Sequence, residues 1–148
     1  MKHILDNVTW NALNTGNRDL SLGNENVRFF HKEVSPFAGM PKITNENFNT
    51  LHAYCKATRR FNLFIGKEII IPDDWKIIRK SNIWQMVCNR EIGKFSPQNT
   101  IQPLTQNHVE EMVTLTQQTH PGPFEKETIL FGHYEGIFEH NKLTHIAG

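Results

Sequence analysis

The chain has 148 residues, 38% of them hydrophobic and 21% charged, with sixteen basic against fifteen acidic side chains and a net charge of +1. So even a balance excludes the electrostatic footprint of a dedicated nucleic-acid binder. A mean hydropathy of −0.50, with no apolar run near the roughly 20 residues that a bilayer demands, excludes a membrane-spanning helix and leaves one ordinary domain or two small ones.

Asp6 interrupts the N-terminus before the apolar stretch of a secretory leader can develop. The two cysteines, Cys55 and Cys88, are too few for a disulfide framework. A reduced, cytoplasmic chain is therefore expected, and the glycosylation match Asn7-Val8-Thr9 is read as chance in an asparagine-rich sequence.

In chain order, Asp6 is the expected N-cap of a short helix with Val8, Trp10 and Leu13 as its apolar stripe, stopped at Asn14-Thr15-Gly16-Asn17. Val27-Arg28-Phe29-Phe30 reads as a strand, and the two prolines of residues 35–41 make that stretch a loop. Thr44 or Asn45 can cap a second helix carrying Phe48, Leu51 and Cys55 at helical spacing. Residues 61–65 and 83–88 read as further strands, rich in apolar and β-branched residues. Between them, Ile69-Ile70-Ile71 runs into the turn at Pro72-Asp73-Asp74. The soft composition of residues 93–99 places a domain boundary there. Beyond it, Thr105 is expected to cap a helix over residues 105–119 that buries Val109, Met112 and Val113. After the double-proline turn His120-Pro121-Gly122-Pro123, a shorter helix is expected from Phe124 to Phe131, stopped by Gly132. Two strands, 134–139 and 142–147, then join through a tight turn at His140-Asn141.

Several of these pieces stand in a familiar order. Residues 104–116 lead to Thr119-His120-Pro121-Gly122-Pro123-Phe124, then to Gly132-His133-Tyr134-Glu135-Gly136-Ile137, then to Lys142-Leu143 and Ala147-Gly148. This order resembles the opening of the catalytic domain in the GNAT superfamily of acetyl-CoA-dependent N-acetyltransferases. It is most similar to a bacterial subgroup with an extra N-terminal half-domain, whose end is matched by Ile71-Pro72-Asp73-Asp74-Trp75 and Gln85-Met86-Val87. The resemblance implies an α/β chain of mixed α+β character. An N-terminal α/β half-domain would occupy residues 1–99, and residues 100–148 would form the first helices and β-hairpin of a GNAT-type domain.

The resemblance also implies acetyl transfer from acetyl-CoA to a primary amine, borne by a small molecule or a peptide. In the family, the strand after the third, a (Q/R)xxGx(G/A) loop and a later helix hold the cofactor. None of these patterns follows Lys142-Leu143 here, so the chain is expected to be the N-terminal portion of such an enzyme, inactive alone and without cofactor-binding residues of its own. The open edge of its last strand is expected to recruit a second copy or a C-terminal fragment. No membrane or nucleic-acid partner is expected. The alternative reading is a non-catalytic protein-interaction module.

The resemblance places part of the acceptor wall at His120, Pro121 and Phe124, and Tyr134 could line the same cleft. A turn pre-set by two prolines loses little entropy on binding. Each residue also has a structural explanation: a helix connector for the turn, a staple for Phe124, packing for Tyr134. Glu135 and Glu139 share one face of their strand, as a base or as ordinary solvent-facing acids, and no catalytic residue is assigned. His133, His140 and His145 fit no zinc spacing, so no metal is expected. Cys55 reads as a small core residue, Trp10, Trp75 and Trp84 as core anchors, and Lys76, Arg79, Lys80 and Arg90 as charges along a solvated strand edge.

Overall fold

The computed structural model describes residues 3–55, 59–90, 93 and 100–148. Its mixed helices and antiparallel sheets match the expected mixed α/β class. The expected boundary over residues 93–99 falls almost wholly outside the described residues.

The chain opens with a 3₁₀ turn, Ile4–Asn7, that leads into helix α1, Val8–Asn14. Asp6 is not the N-cap. Asn7 holds that position in α1, while His3 caps the preceding 3₁₀ turn: its Nδ1 accepts the Leu5 N–H at 3.2 Å and the Asp6 carboxylate accepts the His3 N–H at 2.8 Å, so Asp6 occupies the far corner of a capping box. Strands β1, Ser21–Gly23, β2, Arg28–Phe30, and β3, Ala38–Gly39, form an antiparallel sheet in that order. The expected loop over residues 35–41 thus contains a two-residue strand. Helix α2, Asn45–Ala53, is capped by the Thr44 hydroxyl, which accepts the Asn47 N–H at 3.2 Å. It ends before Cys55, which packs half-buried against the core from the following turn.

Neighbouring residues of a strand face opposite ways, and β2 uses both faces. Phe29 packs with Val27, Ala38, Met40, Phe48 and Leu51, while Phe30 packs with Leu13 and Val34 on the other side. The Arg59 guanidinium lies over the Phe29 ring at 4.9 Å and the Phe61 ring at 4.6 Å.

Two expected strands are absent. Residues 61–65 contribute only one parallel bridge, Phe37 to Asn62. Residues 83–88 pair with no strand among the described residues, and Trp84, expected in the core, is 94% exposed. The apolar composition was read correctly in both stretches. A ladder, however, needs a second backbone within about 5 Å, and neither stretch has one in register. Trp75 does serve as an anchor, half-buried against Phe48, Phe61 and His52, and Trp10 is half-buried beside Gly39.

The second sheet runs β4, Gln102–Pro103, then β5, Glu135–Glu139, then β6, Lys142–Ala147, all antiparallel. Strand β4 was not foreseen; two residues are too short for a periodic signal. Over this sheet lies helix α3, Val109–Thr119, preceded by a 3₁₀ turn, Gln106–His108, where a single continuous helix was expected. The Thr105 N–H donates to His108 Nδ1 at 2.9 Å and holds that turn. Leu104, Met112, Ile129 and Leu143 make the core here; Met112 is fully buried, whereas Val109 and Val113 are half-buried and Glu110 and Gln117 are exposed. The helix expected from Phe124 to Phe131 is reduced to a 3₁₀ turn, Thr128–Phe131.

That turn joins the two sheets. Its side chains diverge, so Ile129 enters the C-terminal core while Phe131 meets Phe30 edge-on, ring centroids 5.0 Å apart. The buried Thr128 hydroxyl donates to the Val34 carbonyl at 2.8 Å and accepts the Glu125 N–H at 2.7 Å. The Glu127 N–H donates to the Glu33 carbonyl at 2.9 Å.

Candidate functional site

The β5–β6 hairpin closes through His140 and Asn141, both with positive φ, 50° and 62°. That is the two-residue turn whose twist matches the twist of the flanking strands. Along β6 the core residues Leu143 and Ile146 are three apart, which a regular strand would place on opposite faces. The register shifts beside Ile137 and Phe138, so Thr144 is the extra residue and both apolar side chains face inward. The Thr144 hydroxyl donates to the Ile137 carbonyl at 3.2 Å. Glu135 and Glu139, each two residues from Ile137, share the outer face of β5 and are both exposed, as expected for alternating residues.

Of the four residues expected in an acceptor wall, two are brought together. The Phe124 and Tyr134 rings meet edge-on with centroids 5.8 Å apart, both half-buried against the C-terminal core. The Tyr134 carbonyl accepts the Leu104 N–H at 2.8 Å, which extends the β4–β5 pairing by one bond and fixes where the ring starts. Gly148 packs against the ring so closely that a Cβ there would lie 2.3 Å from it. Partial burial pushes the Tyr134 phenol above the usual tyrosine range, because the anion loses hydration. His120 and Pro121 lie exposed on the turn leaving α3. His120 ends the helix in the left-handed conformation, φ 47°, with its N–H on the Thr116 carbonyl at 2.8 Å. Its backbone role is clear, and its ring is presented to solvent.

Sequence reasoning missed the other feature of this region. Glu111 reaches from α3 to β6, where its carboxylate accepts the Leu143 N–H at 3.2 Å. Beside this bond, between α3 and β6, is a cavity of about 240 Å³ lined by Glu110, Glu111, Leu115, Gln118, Lys142 and Leu143. Helical periodicity puts Glu111 on the rim of the apolar stripe, but only the long-range packing of α3 on β6 shows that its carboxylate serves a strand amide. Among the described residues, no three histidine, cysteine, aspartate or glutamate side chains gather in a metal-holding group.

This architecture has a solved counterpart. A crystal structure of a protein from Novosphingobium aromaticivorans, assigned to the GNAT family of acetyltransferases, superimposes with a TM-score of 0.78 at 21% identity over 96% of this chain. The chain has the GNAT fold of that structure, as the resemblance implied. It spans 62% of the length of that protein. No family model and no curated protein matches the sequence.

Acetyl-CoA, the cofactor that such a fold implies, needs amide donors for its pyrophosphate. The turn at Gly122 and the Leu143 amide of β6 do not supply them. Gly122 stands between two prolines that have no N–H to give, and the Leu143 amide on the β6 edge is already held by Glu111. What this region holds is the turn of residues 120–123, followed by the edge-on pair of Phe124 and Tyr134 rings.

Proposed function

We propose that this chain forms the acceptor side of a GNAT-type N-acetyltransferase, acting on a primary amine of a small molecule or peptide, with acetyl-CoA held by residues outside it. The observation that carries this reading is the match to a GNAT-family structure over nearly the whole chain but only 62% of that protein. His120, Pro121, Phe124 and Tyr134 form the acceptor wall in this reading. The paired rings of Phe124 and Tyr134 supply its apolar floor, and the turn at Pro121 supplies its rim. An alkyl amine would lay its carbon chain on the exposed edges of these rings. In this reading the chain sits in the cytoplasm and does not transfer acetyl groups by itself.

The coding DNA downstream of Gly148, translated in all three frames, tests the proposal. A (Q/R)xxGx(G/A) segment within the next few dozen codons supports it, and the lack of one in every frame contradicts it. A second reading, a protein-interaction module without catalysis, is favoured by one specific observation: the exposed apolar side chains of residues 77–87.

A further inference from the structure

The turn that leads into Phe124 is exposed along its length. Pro121, Gly122 and Pro123 all face solvent, and a Cβ at Gly122 would meet no atom within 4 Å beyond its chain neighbours. With so little packing of its own, the turn is placed by its two ends. One end is the close of α3, where the His120 N–H donates to the Thr116 carbonyl. The other is the peptide between Phe124 and Glu125, and its anchor lies at the seam with the N-terminal half.

That anchor is Thr128. Its hydroxyl accepts the Glu125 N–H at 2.7 Å and donates to the Val34 carbonyl at 2.8 Å. A hydroxyl has one proton to give, so the bond to Val34 leaves its oxygen aimed at Glu125. The peptide between Phe124 and Glu125 is planar, so holding the Glu125 N–H orients the plane from which the Phe124 side chain departs. Thr128 and Val34 are both buried, which protects the relay from competing water. Val34 belongs to the N-terminal half: its side chain packs with Leu13 and Phe30, and its N–H donates to the His31 carbonyl at 3.1 Å. Two more contacts fall on the same short span, the Glu127 N–H on the Glu33 carbonyl and the Phe131 ring on Phe30.

We infer that Thr128 is a positioning residue for the acceptor wall: through it the Val34 carbonyl of the N-terminal half sets how the Phe124 ring meets Tyr134, and so how tightly the wall holds an amine. The inference rests on the acceptor reading given above. It gives the N-terminal half a part in the site without contributing a residue to the wall. A wall set before the amine arrives spends little on ordering. Without the Thr128 hydroxyl the Glu125 N–H loses its acceptor, the turn is held at α3 alone, and the amine itself must order the Phe124 ring.

The test is NMR of the 148-residue chain with labelled phenylalanine and tyrosine rings, titrated with n-butylamine, and circular dichroism to confirm that each variant is folded. The wild-type chain should show a nuclear Overhauser contact between the Phe124 and Tyr134 rings and a saturable response of both to the amine. Thr128→Val, and Thr128→Ala as a second variant without the hydroxyl, should lose or weaken the ring contact and bind the amine about tenfold more weakly, the scale of ordering a freed side chain. Thr128→Ser, which keeps the hydroxyl, should restore both. Val27→Ala, in the other N-terminal core, should lower stability and leave both unchanged, which separates positioning from a general loss of stability. Wild-type rings indifferent to the amine overturn the acceptor reading and this inference with it. A wild-type chain that responds, beside folded Thr128→Val or Thr128→Ala that binds equally well with its ring contact intact, overturns this inference alone. A Thr128→Ser variant as weak as Thr128→Val does the same.

Discussion

Residues 83–88 and strand β6 make an instructive pair. Each is a six-residue stretch of apolar and β-favouring side chains with a basic residue nearby, and each reads as a strand. Only β6 is one. It follows a two-residue turn that delivers it alongside β5, and a bulge at Thr144 turns Leu143 and Ile146 to the same core face. Residues 83–88 have no such turn, and no described strand lies next to them. Strand propensity is thus a readiness to pair: β6 finds its neighbour in β5, and residues 83–88 have none among the described residues.

Core truncation should separate the two regions most sharply. Met112 is fully buried over the β5–β6 hairpin, so Met112→Ala should cost about 2–5 kcal/mol in urea unfolding. Trp84→Ala should change stability by about 0.5 kcal/mol or less, because its side chain is almost wholly exposed. A large loss from Trp84→Ala would break the comparison.

The seam between the two sheets is next in size. Thr128→Val keeps the shape but removes the bond to the Val34 carbonyl and the acceptor for the Glu125 N–H. A cost of about 1–3 kcal/mol is expected, with the N-terminal and C-terminal halves beginning to unfold at separate urea concentrations. A single unchanged transition would show that Phe131 against Phe30 suffices to couple them.

The smallest effect is a pH dependence at Tyr134. Burial favours its neutral form in the folded chain, so the folded state binds the phenol proton more tightly than the unfolded state does. The sign follows from linkage: this contribution to stability is fully present below the ordinary tyrosine value of about 10 and is lost as pH rises through the raised folded value. Carbon NMR of the Tyr134 ring should show its titration above that ordinary value, and Tyr134→Phe should flatten the alkaline end of the stability profile. Titration of the ring at the ordinary value or below would contradict its placement between Phe124 and Gly148.

Much of the C-terminal region was legible in the sequence because its signals are local. The His140-Asn141 turn, the stripe of α3 and the stop at Gly132 each lie within a few residues of the structure they specify. The helix expected from Phe124 to Phe131 shrank to one turn because its residues serve two cores at once: Ile129 and Phe131 face different ways and Thr128 spans to Val34. No helical stripe could meet both demands. Trp84 was misread because hydrophobicity says that a side chain favours burial, not that its own chain can provide it. Of the candidate site, the order of motifs pointed to Phe124 and Tyr134 separately, whereas their edge-on contact and the Glu111 bond to the Leu143 amide depend on packing between elements.

The central claim is that this chain carries the acceptor side of an acetyltransferase and not the cofactor side. Parallel titrations of the 148-residue chain, with its phenylalanine and tyrosine rings isotopically labelled, test it most directly. A primary alkyl amine should shift the Phe124 and Tyr134 resonances in a saturable way, while acetyl-CoA should leave them unmoved and give no calorimetric heat of binding. Micromolar affinity for acetyl-CoA, about −8 kcal/mol, with ring resonances indifferent to amines, would contradict the account.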